Sequence, residues 1–90
     1  MIETEVKIVN QLGLHARAAA QLVRLASSFQ SKVNLERKDN IAAANAKSIL
    51  SVLTLAASKG TKLKLSVEGI DEEKAIIAVK EIFSNGFGEL

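Results

Sequence analysis

The chain has 90 residues, 48% of them hydrophobic, with three phenylalanines as its only aromatics and a formal net charge of +2. That length bounds one small domain, residues 1–90, whose core must be built from Leu, Ile, Val and Ala. The absence of cysteine excludes disulfides and thiolate metal sites, and the mild charge and lack of a long apolar run argue against a basic nucleic-acid tract or membrane insertion. With an acidic, alternating N-terminus unlike a signal peptide, the expected compartment is cytoplasmic.

The first segment alternates. Ile2, Thr4, Val6 and Ile8 fall on one side and Glu3, Glu5 and Lys7 on the other, which predicts a strand with one buried face. Residues 10–13 read as a loop. From Ala16 to about Phe29, Ala19, Leu22, Val23, Ala26 and Phe29 recur at helical spacing. "KVNLER" and "IAAA", joined through Asp39 and Asn40, predict a hairpin with a weak second strand. "KSILSVLTLAASKG" predicts a second helix, with Ile49, Val52, Leu53 and Ala56 on its apolar stripe and Gly60 ending it. "TKLKLSVEG" alternates again, with Leu63, Leu65 and Val67 inward. "DEEKAIIAVKEIF" predicts a third helix with acids at its N-terminal end and Ala75, Ala78, Val79 and Ile82 inward. Alternating strands with three amphipathic helices give an α+β fold. It is a two-layer open-faced sandwich, a four-stranded antiparallel sheet covered on one face by helices, in the order β-α-β-β-α-β-α.

The only histidine, His15, falls at the start of the first helix, after Gly13 and two residues before Arg17. Backbone N–H groups at a helix start lack helical partners and the dipole there is positive, so the position favours an anion. Arg17 adds a guanidinium suited to phosphate oxygens, although a cation in a first turn is mildly unfavourable for the helix. A histidine beside such a cradle is a candidate nucleophile toward phosphorus. The plainer reading is a surface histidine that caps a helix. A lone imidazole makes no metal site, and no spacing gathers Ser27, Ser28 or Asp39 into a hydrolytic triad. Ser48 opens the second helix, where serine is a preferred cap. Leu50 falls off the apolar stripe and, with Ala16, Ala20 and Ile49, would extend an apolar patch around His15.

"GLHAR" at 13–17, "AKSIL" at 46–50, "SKG" at 58–60 and "VEGIDEEKA" at 67–75 stand in order along the whole chain. Together they resemble the HPr family, the histidine-containing phosphocarriers of the bacterial phosphotransferase system. The resemblance implies that His15 accepts a phosphoryl group on Nδ1 from Enzyme I and passes it to an Enzyme IIA component, with Arg17 stabilising the phosphate. It implies a relay and not a stand-alone enzyme. It also implies no built-in cofactor, the Mg²⁺ belonging to the donor enzyme, and no metal site. The residues it places toward Enzyme I and IIA are Ala16, Ala20, Arg24, Ile49, Leu50 and Leu53. Arg24 also reads as part of a solvated helix face. In some bacteria the serine at position 48 is a target of the HPr kinase/phosphorylase; in others it is a cap alone, and both readings stand. A small relay showing one face to several partners is expected to be a monomer. The family usually has proline after this arginine; here Ala18 keeps the helix but leaves its first turn less preset. Three further readings are weighed. A nitrogen-related branch regulates instead of importing sugar, and "HARAAA" and "FSNGFGEL" lean that way. A small regulatory ligand-binding domain shares the fold class. An RNA-binding sheet would need exposed aromatics that Phe29, Phe83 and Phe87, in helices or the tail, do not supply.

Overall fold

The computed structural model describes all 90 residues, Met1–Leu90. Its elements are β1 (Ile2–Lys7), α1 (Ala16–Ser27), β2 (Lys32–Arg37), β3 (Ala43–Asn45), α2 (Ile49–Leu53), β4 (Lys62–Glu68) and α3 (Glu72–Ser84), followed by a single 3₁₀ turn at Gly86–Gly88. The four strands form one sheet in the order β1-β4-β2-β3, with every neighbouring pair antiparallel. β4 lies between β1 and β2, so the first β-α-β unit is split and closed by the last strand. The expected open-faced sandwich is the observed architecture.

Period-two alternation sets the two faces of the sheet. Val6, Val33, Leu35, Leu63, Leu65 and Val67 turn inward and are buried. Opposite them, Lys38 pairs with Glu5 at 2.7 Å, and Lys64 reaches both Glu3 at 3.7 Å and Glu36 at 3.6 Å. Such solvated pairs stabilise little, but they keep the open face soluble and its register unambiguous. On the other face, Ala18, Ala19, Leu22 and Ala26 of α1 meet Ala75, Ile76, Val79 and Phe83 of α3 in one core with the inward strand residues. Small alanines on α1 let that helix approach the layer beneath it closely. No helix is long and apolar enough to cross a membrane.

Three expectations need correction. The second helix does not run to Gly60. It ends at Leu53, and Ala56 takes a left-handed backbone with φ of +49°. Ala56 is exposed, whereas Leu55 and Ala57, off the expected stripe, are buried. The chain leaves the helix early to lay residues 54–58 under the loop that precedes α1, where the Ala57 carbonyl accepts the Leu14 N–H at 2.9 Å. The weak hairpin strand is Ala43–Asn45 and not residues 41–44, because the Ala42 N–H is taken by the Asn40 side chain at 2.7 Å. In α3 the fully buried stripe is Ala75, Ile76, Val79 and Phe83, with Ala78 and Ile82 half-buried at its edge.

Asp71 precedes α3 but does not cap it with its side chain. Its carboxylate accepts instead from the Gln30 N–H at 2.9 Å and from the Ser31 N–H at 3.0 Å and hydroxyl at 2.5 Å. Those bonds, the Ser31 hydroxyl foremost, hold the Asp71 carboxyl below the usual carboxylate range. They tie the start of β2 to the start of α3.

Candidate functional site

His15 is the N-cap of α1, with extended backbone at φ −71° and ψ 177°. Its Nδ1 accepts the Arg17 backbone N–H at 3.2 Å, one of the donors that a helix start leaves without an intrahelical partner. The loop before it is built around Asn10, which is fully buried. Asn10 Nδ2 donates to the Gly13 carbonyl at 2.9 Å, and the Gly13 N–H donates to the Asn10 carbonyl at 3.2 Å. Gly13 sits at φ +68°, packed against the backbone of Ala57 and Ser58. Buried Leu14 then plugs the loop into the core and presents His15 at the surface, with its side chain 26% exposed.

The second nitrogen of the ring has a partner from the far end of the chain. His15 Nε2 meets Glu89 Oε2, while the other oxygen of Glu89 accepts from Asn10 Nδ2 at 2.9 Å. Asn10 Nδ2 thus joins the loop to the C-terminal tail, and its Oδ1 has no protein partner. Both atoms that Nδ2 faces are acceptors, so the amide orientation follows from chemistry. Asn10, then His15, hold the Glu89 carboxyl below the usual carboxylate range by hydrogen bonding, with the nearby charge of Arg17 adding to the effect. Glu89 is therefore a carboxylate at neutral pH and can only accept. Nε2 then carries a proton, and in the neutral ring Nδ1 keeps its lone pair.

The tail is held by Phe87, which is buried against Phe83 with ring centroids 5.1 Å apart at 71°. Neither Asn10 nor Glu89 was expected from sequence. Glu89 lies 74 residues from His15, and no local spacing connects them.

Arg17 is exposed in the first turn, and its guanidinium forms no ion pair within the chain. Ala16 is exposed beside it and Ala20 half-buried one turn on, while Arg24 is exposed in the last turn of α1. α1 packs against α2. On α2, Leu50 is 74% exposed and Ile49 39% exposed, whereas Leu53 packs against the core. Of the residues expected to form the apolar surface, Ala16, Ile49 and Leu50 are exposed, and so is Leu12, 70% exposed in the loop before His15, which the sequence reading omitted. The three principal surface depressions lie on the open sheet face, at the start of α3 and beside Lys38–Lys62, and none includes His15. The histidine lies at the surface, part-buried and outside all three.

Ser48 is the N-cap of α2, and its hydroxyl accepts the Ser51 N–H at 3.3 Å. Ser48→Ala is expected to lower unfolding free energy by about 1 kcal/mol, measured by urea denaturation. No loss would mean that the long bond contributes nothing.

A histidine at a helix N-cap with an unpaired arginine in the next turn suits a phosphoryl group, and comparisons with known proteins agree. Residues 2–85 match the family model described as the PTS HPr component phosphorylation site. The phosphocarrier protein HPr of Xylella fastidiosa (strain Temecula1) is 47% identical over 89 residues, 99% of this chain and 98% of that protein. The phosphocarrier protein NPr of Escherichia coli (strain K12) is 38% identical over 88 residues, 98% of this chain and 97% of that protein. The crystal structure of HPr-C-His from Thermoanaerobacter tengcongensis superposes with a TM-score of 0.92 at 43% identity, covering 100% of this chain and 99% of that one. With site, fold and whole-length likeness in accord, the chain belongs to the HPr family, the phosphocarriers of the phosphotransferase system.

Proposed function

We propose that this phosphocarrier accepts its phosphoryl group from Enzyme I on Nδ1 of His15 and hands it to an Enzyme IIA component. The observation that carries the reading is the pairing of Nδ1 with the Arg17 N–H while the Arg17 guanidinium stays free of ion pairs. In the transfer, the Nδ1 lone pair forms the N–P bond as the donor's bond to phosphorus breaks. The Arg17 N–H then loses its acceptor and becomes available to a phosphoryl oxygen. The exposed guanidinium supplies a second, charge-assisted contact. An open site of this kind holds phosphate without enclosing it, so the transition state is completed by the partner's active site.

Arg17→Ala is expected to slow phosphoryl acceptance about 10- to 150-fold, as loss of a hydrogen bond to a charged group costs about 1.5–3 kcal/mol. Stopped reactions with Enzyme I, phosphoenolpyruvate and Mg²⁺, read by intact mass, measure it. An unchanged rate would remove Arg17 from the phosphate site.

The exposed apolar residues Ile49 and Leu50, with Leu12 and Ala16, form the docking face for both partners in this reading, and Ala20 and Leu53 support it from beneath. Arg24 is placed at the rim, where a cation speeds encounter with acidic partners. Ser48 caps the helix that carries Ile49 and Leu50, one residue before Ile49. Where the source bacterium carries an HPr kinase/phosphorylase, a phosphate on Ser48 would add about −1.5 to −2 charges and oppose docking of Enzyme I. The greater identity to HPr than to NPr favours sugar uptake over the nitrogen-related branch. The test of that choice is the rate of phosphorylation by Enzyme I of each branch.

A further inference from the structure

The contact between His15 and Glu89 lies on the side of the ring away from the phosphoryl position, so the incoming group does not displace it. Three constraints hold Glu89 there. Asn10 Nδ2 fixes one carboxylate oxygen at 2.9 Å, the Glu89 N–H donates to the Gly86 carbonyl at 3.0 Å, and buried Phe87 anchors the tail. The carboxylate is only 16% exposed, less open to solvent than the histidine it meets. An acid so fixed against the rear nitrogen of a nucleophilic imidazole resembles the carboxylate–histidine pairs that set tautomer and ring orientation elsewhere in protein chemistry.

We infer that Glu89 is a positioning residue for phosphoryl transfer, holding the proton on Nε2 of His15 so that Nδ1 is the nucleophile on acceptance and the leaving group on release. The inference rests on the phosphocarrier reading and adds to it. On acceptance, a ring protonated at Nε2 presents its lone pair at Nδ1. Once phosphorus is attached at Nδ1, a proton on Nε2 makes the ring a cation, and the carboxylate stabilises that cation. On release, an acceptor oxygen or nitrogen bonds to phosphorus and the electron pair of the Nδ1–P bond returns to Nδ1. A neutral imidazole remains, still carrying its Nε2 proton. The carboxylate therefore favours the form of the carrier that gives up its phosphoryl group. The groups that face Glu89 are Asn10, His15 and Arg17, and of these Arg17 is the other charge it feels.

Glu89→Gln tests this. The amide keeps the shape but offers one acceptor oxygen where two donors converge, and it carries no charge. Wild type and variant are loaded with Enzyme I, phosphoenolpyruvate and Mg²⁺, freed of donor, and followed by intact mass as water removes the phosphoryl group between about pH 5 and pH 9. The variant is expected to lose the group about three- to fivefold more slowly near neutral pH, the effect of one partly solvated ion pair. The difference is expected to shrink as the pH falls toward about 5, because solvent acid then supplies the Nε2 proton that the carboxylate otherwise holds. Superimposable profiles, or one constant ratio at every pH, would overturn the role of Glu89 and leave the carrier reading intact. Failure of both chains to accept a phosphoryl group would overturn both.

Discussion

Replacing His15 with alanine is expected to reduce phosphoryl acceptance to background while leaving the fold in place. With Enzyme I, phosphoenolpyruvate and Mg²⁺, wild type should gain the mass of one phosphoryl group and lose it on brief acid treatment, as a phosphoramidate bond does. The variant should gain nothing. No other side chain can take over, because the chain has one histidine and no cysteine. Ser48, the other residue proposed to carry phosphate, would form an acid-stable ester, so the acid step separates the two sites. The structural cost of the substitution is small. Alanine forfeits the cap bond from the Arg17 N–H, about 1 kcal/mol for a typical N-cap, and frees the tail at Glu89. Leu14, Ala18 and Ala19 on either side stay buried, so α1 keeps its seat on the core. A His15→Ala chain that still took up an acid-labile phosphoryl group would end the assignment.

The parts of this molecule that were legible in its sequence are those where one residue and its near neighbours carry the signal. The alternation in Ile2–Lys7 and Lys62–Glu68 became strands β1 and β4, and the three-and-four spacing of Ala19, Leu22 and Ala26 became the buried face of α1. His15 could be placed at a helix start because the alanine-rich run begins just after it. What was not legible depends on contacts between distant segments. Nothing near Leu55 says that the chain must quit its helix at Leu53 and turn at Ala56. That path is set by the loop before α1, which uses the Ala57 carbonyl as its hydrogen-bond acceptor. A helical stripe ending in Ala56 was the natural local reading, and tertiary packing overrode it. Asn10 looked like one polar loop residue, yet it is buried because it links two segments at once. Glu89 stands in a tail that carries no periodic pattern. Phe87, wedged beside Phe83, and the bond from Asn10 bring it to the histidine.

The loop that presents His15 makes a second strong demand, on Gly13. A Cβ built there would lie 2.5 Å from the Ala57 carbonyl oxygen and 2.9 Å from Ser58 Cα. Both are backbone atoms that no rotamer change can move. The oxygen is also the acceptor for the Leu14 N–H, so relieving the clash loosens the bond that seats the residue just before His15. Gly60 offers the matched comparison. It has the same left-handed requirement, with φ of +92°, but nothing within 4 Å of its Cβ position. Gly60→Ala should therefore show the backbone cost alone, about 1–2 kcal/mol for an L-residue in that region. Gly13→Ala should add an overpacking cost of about 1–3 kcal/mol. At roughly 4–8 °C per kcal/mol for a domain of this size, thermal melts should separate the two variants clearly. They should also separate in function. Gly60→Ala changes stability without disturbing the histidine, whereas Gly13→Ala is expected to slow phosphoryl acceptance by about tenfold even well below its melting temperature, because a misplacement near 1 Å is enough to lose near-attack geometry. If the two variants melted together and reacted alike, the 54–58 segment would have to be yielding ground for Gly13. The early end of α2 would then be a feature of packing with no bearing on the site. If they part as expected, the odd path of residues 54–58 and the placement of His15 are one structural fact, since the chain leaves its second helix early to build the floor on which the phosphoryl acceptor stands.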